Sequence, residues 1–122
     1  MSTLEHLPSP SAAARASDEV TLTVVIPCLN EEENITEVVT RARTVLEREN
    51  IDGEVVVADN RSEDRSAELA TAAGARVVHE PRRGYGSAYM AGFAAARGRY
   101  IVMADADLTY DFDDIPRFLE QL

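Results

Sequence analysis

The chain has 122 residues, enough for one domain, and carries 22 acidic against 12 basic residues for a formal net charge of −10. That balance argues against a nucleic-acid partner or an anionic membrane surface, both of which call for a basic face. Every basic residue is an arginine, so there is no lysine to act as a P-loop cation or Schiff-base nucleophile, and the single cysteine, Cys28, excludes an internal disulfide and a multi-cysteine zinc site.

Residues 1–19 hold serines, prolines and alanines without an apolar period and read as a disordered leader. Glu5 interrupts any signal-peptide core. Apolar runs such as Val24-Val25-Ile26 fall far short of the roughly 18 residues of a membrane helix. The remainder, 20–122, reads as a soluble, intracellular-type α/β domain or a piece of one. Thr21 to Ile26 is rich in β-branched residues and predicts a strand that stops at Pro27. Asn30 is placed to cap a helix whose first turn holds Glu31, Glu32 and Glu33. Ile35, Val38, Val39, Ala42, Val45 and Leu46 recur at helical spacing along it.

Glu54 to Ala58 is a second, continuously apolar strand, as expected when both sheet faces are covered. A helix is predicted from Ser62 or Glu63 to Ala73, with Gly74 as its left-handed C-cap. Arg76 to His79 makes a third strand. The loop Glu80-Pro-Arg-Arg-Gly84 leads into an alanine-rich helix closed by Gly98, and Tyr100 to Ala104 forms a fourth strand. Asp113 or Asp114 caps a last helix with Pro116 in its first turn. Strands alternating with helices predict a doubly wound, Rossmann-like parallel sheet with right-handed crossovers.

Ligands of such sheets bind beyond the carboxyl ends of the strands. Three of the four predicted strands end there in polar or acidic residues: Pro27-Cys28-Leu29-Asn30-Glu31, Asp59-Asn60 and Asp105-Ala106-Asp107. Carboxylates gathered at one rim of an acidic protein repel unless a cation or a donor-rich ligand sits among them. Asp105 and Asp107 form a D-x-D pair suited to a hard divalent ion, Mg²⁺ or Mn²⁺, with a diphosphate supplying further oxygen ligands. Asp59 is either an acceptor for a nucleobase or ribose, or a turn cap. Glu31 is either a site acid or a first-turn helix acid.

The segment Gly84 to Gly92 is not a dinucleotide fingerprint, because Tyr89 stands where the third glycine belongs and the segment follows the wrong strand. Its glycines instead allow close backbone approach at a helix N-terminus, and Arg82 and Arg83 just upstream are phosphate-binding candidates or solvated surface arginines. Cys28 reads as a packing residue. His6 lies in the leader, and His79 ends a strand without a partner ligand. The alanines of 88–96 form a close-packed helix face.

Taken in order, Val24 to Ile35, Glu54 to Asp64, and Gly84 to Leu108 resemble glycosyltransferases of family 2, which have the GT-A fold. The last segment is similar to the branch that makes polyprenyl- or dolichyl-phosphate-linked mannose or glucose. The resemblance implies transfer of a hexose, with inversion, from a UDP- or GDP-sugar to an acceptor such as a polyprenyl phosphate. Pro27, Leu29, Asn30 and Glu31 would hold the nucleotide, with Glu31 near ribose or base. Asp59 would read the base and Arg83 would meet phosphate. Asp105 would bind ribose and metal, Asp107 the metal, and Thr109 would stand as a third metal ligand where a glutamine is often seen.

Two departures accompany the resemblance. Arg61 and Arg65 replace glycines of the family's Asp-Asp-Gly-Ser-x-Asp-Gly loop, so a strained or reshaped loop is expected. The chain also stops one helix after D-x-D, so the acceptor half is expected to be absent, with weak donor binding, no transfer by the chain alone, and self-association through an uncovered edge strand. The resemblance implies a cytoplasmic location, with membrane association at the cytoplasmic face in a longer form. Two rival readings are a non-catalytic nucleotide-sugar-binding module and a nucleotidyltransferase; the latter wants a basic, glycine-rich loop after the first strand, which Pro27-Cys-Leu-Asn lacks.

Overall fold

The computed structural model describes residues 20–121, so the leader expected over 1–19 lies outside the described residues. Four strands, β1 (Val20–Cys28), β2 (Gly53–Asp59), β3 (Arg76–His79) and β4 (Gly98–Met103), form one parallel sheet in the order β3-β2-β1-β4. Helices α1 (Ile35–Arg48), α2 (Ser66–Ala73) and α3 (Tyr85–Ala95) connect them, and a 3-10 turn at Phe112–Asp114 leads into α4 (Ile115–Glu120). The first two crossovers step away from β1, and the third returns to its other side. The switch point therefore falls between β1 and β4.

Period-2 alternation along the central strands divides the core. Leu22, Val24, Ile26 and Cys28 of β1 join Val55 and Val57 of β2 beneath Ile35, Val38, Val39, Ala42, Val45 and Leu46 of α1, all buried. The opposite face takes α3, which approaches so closely that a Cβ on Gly92 would lie 2.4 Å from Val25 Cγ1. That closeness explains the small side chains of α3. β4 is an edge, and its Ile101 and Met103 remain 41% and 52% exposed. Among the described residues no helix is long and apolar enough to cross a membrane.

The predicted elements are present, with shifted ends. Asn30 does not cap α1: it adopts a left-handed backbone (φ 55°), and Glu31 O accepts from both Asn34 N and Ile35 N in a turn that delays the helix to Ile35. α2 begins at Ser66, because Asp64 Oδ1 accepts from Ser66 N and holds the preceding residues in a side-chain turn. Gly74 is the left-handed C-cap predicted for α2 (φ 109°). Gly98 does not close α3 but opens β4, pressed so tightly on β1 that a Cβ would sit 2.4 Å from Thr23 N. β1 runs through Pro27 to Cys28. Val25 O accepts from Ala104 N on the β4 side, whereas Cys28 O accepts from Asn60 N on the β2 side. Pro27 shares the side of Val25 but lies beyond the end of β4, so its missing N–H costs no ladder bond.

At the amino end of the sheet, buried Thr23 Oγ1 donates to Glu54 Oε2 (2.7 Å) and accepts from Gly98 N (2.8 Å). Arg76 Nη2 donates to Glu54 Oε1 (2.9 Å), and Arg97 N donates to Glu54 Oε2 (2.8 Å). Burial alone would raise the Glu54 carboxyl, but these donors outweigh it and hold it below its ordinary range. The polar clamp fixes four chain segments at the end of the sheet opposite the site.

Candidate functional site

At the carboxyl end, the loops after β1 and β2 are bound to each other mainly through backbone N–H groups. Asn30 N donates to Ser62 Oγ (2.8 Å), Glu31 N to Ser66 Oγ (2.8 Å) and Glu32 N to Asp64 Oδ2 (3.2 Å). In return, Glu63 N donates to Asn30 Oδ1 (2.8 Å) and Arg65 N to Glu32 Oε1 (3.0 Å). The N–H groups of residues 30–32 are therefore committed to the scaffold. The backbone is strained nearby: of four non-glycine residues with positive φ among those described, Asn30 (55°), Arg61 (67°) and Leu108 (70°) sit on this rim. Arg61 carries the strain expected where it stands in place of a glycine. Arg65 does not, at φ −89°.

Between these loops and the start of α3 lies a cavity of about 410 Å³, lined by Pro27, Cys28, Leu29, Asn30, Asn60, Arg61, Glu63, Arg83, Gly84, Tyr85 and Ala88. A second, largely apolar groove of about 510 Å³ runs along β4 and α4, away from the polar rim. Arg82 and Arg83 part ways here. Glu80, 5% exposed, accepts from Arg82 N, Nε and Nη2, so the Arg82 guanidinium is bound to a neighbour. Arg83 lines the cavity and makes no ion pair among the described residues. Gly84 begins α3 without a side-chain cap, leaving the first helical N–H groups beside Arg83.

Asp59 is 4% exposed at the end of β2. Its Oδ2 accepts from Ser62 N (3.1 Å), while its Oδ1 is buried with no hydrogen-bond partner. It is not among the residues that line the cavity. Cys28 is a wall residue whose thiol is pushed up to about 11, chiefly by burial, and it is unsuited to be a nucleophile at neutral pH.

Asp105 and Asp107 leave β4 exposed, on the far side of β1 from Asp59. Tyr89 Oη donates to Asp105 Oδ1 at 3.4 Å. Thr109 donates to Asp107 Oδ1 through both its hydroxyl (2.6 Å) and its N–H (3.2 Å), and these bonds hold the Asp107 carboxyl below its ordinary range. Tyr85 lines the cavity. Its phenol is pushed up by burial and then by the charges of Asp105, Glu31 and Asp107.

The model of the family described as glycosyl transferase family 2 matches residues 23–122. The chain belongs to glycosyl transferase family 2. It is 47% identical over 102 residues to a low-salt glycan biosynthesis hexosyltransferase of Haloferax volcanii, a match covering 84% of this chain and 24% of that protein. It is 36% identical over 107 residues to an undecaprenyl-phosphate 4-deoxy-4-formamido-L-arabinose transferase of Pseudomonas paraeruginosa, covering 82% of this chain and 32% of that one. Among solved structures it superposes on glucosyl-3-phosphoglycerate synthase from Mycobacterium tuberculosis, in complex with Mn²⁺, UDP and glucosyl-3-phosphoglycerate. That match has a TM-score of 0.67 and 30% identity, and covers 93% of this chain and 44% of that one. The chain thus spans 24% to 44% of the length of these relatives. The parallel sheet with flanking helices is the GT-A architecture expected from the sequence.

Within this family 2 chain, the metal expectation meets a partial donor set. Asp105, Asp107 and Thr109 offer oxygen atoms only, and among the described residues no three His, Cys, Asp or Glu side chains converge on one point. Oxygen ligands with open positions fit Mg²⁺ or Mn²⁺ when phosphate oxygens complete the shell. Of the residues singled out from the sequence, Pro27, Leu29, Asn30 and Arg83 share the cavity, Glu31, Asp105, Asp107 and Thr109 are not among its lining residues, and Asp59 is buried at the end of β2. The sequence reading missed Tyr85, Tyr89 and Asn60. Tyr85, Tyr89 and Phe93 stack at i, i+4 spacing along α3, a periodicity visible in the chain but masked by the surrounding glycines and alanines.

Proposed function

We propose that this chain is the donor-binding part of a hexosyltransferase that takes the sugar of a UDP- or GDP-hexose and passes it, with inversion, to a polyprenyl phosphate. The observation that carries the reading is the cavity at the carboxyl ends of β1 and β2, lined by Glu63, by Arg83, which makes no ion pair among the described residues, and by the start of α3, which has no side-chain cap. A nucleotide diphosphate is complementary to this lining: phosphate oxygens meet the arginine and helix N–H groups, while donors of the base and ribose meet acidic side chains. The relatives that act on undecaprenyl phosphate and the neighbour solved with UDP and Mn²⁺ support the same substrate classes.

In this reading Pro27, Leu29, Asn30 and Glu31 shape the nucleotide seat, Asp59 accepts from the base, and Asp105 holds the ribose. Asp105, Asp107 and Thr109 would hold Mg²⁺ or Mn²⁺, which when bound offsets charge on the leaving diphosphate. The bond between the anomeric carbon and the diphosphate oxygen breaks as the acceptor oxygen bonds to that carbon from the opposite face. A phosphate acceptor is already ionised and needs no strong base. We also read β4, with its free backbone edge and exposed Ile101 and Met103, as a surface for self-association.

Calorimetric titration of UDP-, GDP- and dTDP-hexoses into the chain, with Mn²⁺ and with a chelator, tests the donor assignment. One nucleotide should bind, and the chelator should weaken it. No binding of any of the three in Mn²⁺ refutes the reading.

A further inference from the structure

We propose that Asn60 is a positioning residue for the donor diphosphate, acting through Arg83 and the first turn of α3. The inference rests on the donor reading above. Asn60 follows the last residue of β2 and is 6% exposed. Its backbone N–H donates to Cys28 O (2.8 Å), which ties it to β1. Its carboxamide points into the loop before α3: Nδ2 donates to Glu80 O (2.9 Å) and to Arg82 O (2.6 Å), and Oδ1 accepts from Gly84 N (2.9 Å). One side chain thus uses both donors and its acceptor on three backbone groups of a five-residue segment.

Arg83 lies between Arg82 and Gly84, both held by Asn60, and like Arg61 it lines the cavity without an ion pair among the described residues. Gly84 sits at φ 113°, ψ 153°, a conformation open essentially to glycine, and there the chain turns from the loop into α3. Exposed on the surface, this turn has little packing to hold it: a Cβ on Gly84 would meet nothing within 4 Å. The Asn60 carboxamide supplies the missing constraint, linking the ends of β1 and β2 to the element that presents Arg83. Its chemistry is matched to the task. Two carbonyls and one N–H need two donors and one acceptor, and an aspartate would set an oxygen against the carbonyls.

The test compares Asn60→Asp with the wild-type chain in binding UDP and UMP, and GDP and GMP, in Mn²⁺. If Asn60 positions the diphosphate contacts, Asn60→Asp weakens the preferred diphosphate about tenfold or more and leaves the matching monophosphate within about threefold. Gly84→Ala, which disturbs the same turn from an exposed position, should give the same selective loss. In an Arg83→Gln background the further effect of Asn60→Asp should largely vanish. Equal losses for diphosphate and monophosphate, or losses that add fully to those of Arg83→Gln, overturn the proposal. If Asn60→Asp fails to fold, Gly84→Ala decides, and retention of full diphosphate affinity overturns it. A wild-type chain that binds none of these nucleotides sinks the donor reading itself, an outcome distinct from binding that ignores Asn60.

Discussion

Replacing Asp59 by alanine separates a ligand-reading carboxylate from a loop cap, because the two roles act on different measurements. In the free protein the substitution removes a buried acceptor, Oδ1, that has no partner, and forfeits the bond from Ser62 N to Oδ2 at 3.1 Å. An unsatisfied buried group costs about 1–3 kcal/mol, and a hydrogen bond to a charged acceptor contributes about 1.5–3 kcal/mol. The terms oppose, so the free Asp59→Ala chain should unfold within about 2 kcal/mol of wild type. With nucleotide the terms no longer cancel. Losing the partner of a base donor should weaken binding by about 1–3 kcal/mol, and discrimination among bases should shrink. Denaturant unfolding with and without ligand reads both effects. At a ligand concentration of one hundred times Kd, wild type gains about 2.7 kcal/mol. Tenfold weaker binding leaves a gain of about 1.4 kcal/mol, and hundredfold weaker binding about 0.4 kcal/mol. A free variant destabilised by more than about 3 kcal/mol with an undiminished ligand gain would show that Asp59 only holds the 59–62 turn, and would refute the reasoning.

Asp105→Asn combined with Asp107→Asn should abolish Mn²⁺-dependent nucleotide binding while the apo melting temperature holds or rises, since two exposed carboxylates two residues apart in an already acidic chain are removed; unchanged, metal-dependent binding by calorimetry would contradict the assignment. Gly98→Ala should cost about 3 kcal/mol in equilibrium unfolding, because its Cβ meets backbone of β1, Thr23 N at 2.4 Å and Leu22 C at 2.7 Å; a stability equal to wild type would mean that β1 and β4 part freely. Cys28 should resist alkylation at pH 8 until the chain unfolds, as burial pushes its thiol up to about 11. The unfolded thiol loses its proton first, so this contribution is present below the ordinary value of 9.0 and is lost as pH rises through about 11. Cys28→Ala should flatten the stability profile over that range. An equally steep decline in the variant would assign the alkaline loss to other groups.

How much of this was legible in the chain depended on range. The helical recurrence of Ile35, Val38, Val39, Ala42, Val45 and Leu46 and the apolar run Val55-Val56-Val57 marked elements whose faces the structure buries as the pattern requires. Gly74 announced its left-handed cap by residue type alone. Boundaries were missed where a side chain from a distant loop competed with the helix. Ser62 and Ser66 accept from Asn30 N and Glu31 N, more than thirty residues away, and α1 and α2 start late as a result. Gly98 looked like a helix stop, because its actual constraint, contact with Thr23, spans seventy-five residues.

The sequence by itself determined the alternating α/β order, the parallel sheet that follows from it, and the placing of polar residues at the carboxyl ends of three strands. These rest on periodicity and strand-end chemistry, which are local. The tertiary structure decided which of those residues act together. Only the packed rim shows that Glu80 ties up Arg82 while Arg83 lines the cavity, that Asp59 keeps one carboxylate oxygen without a partner, and that Tyr89 reaches Asp105. Pairing of side chains across loops depends on distances set by the crossovers of the sheet, and no local pattern in the chain encodes those distances.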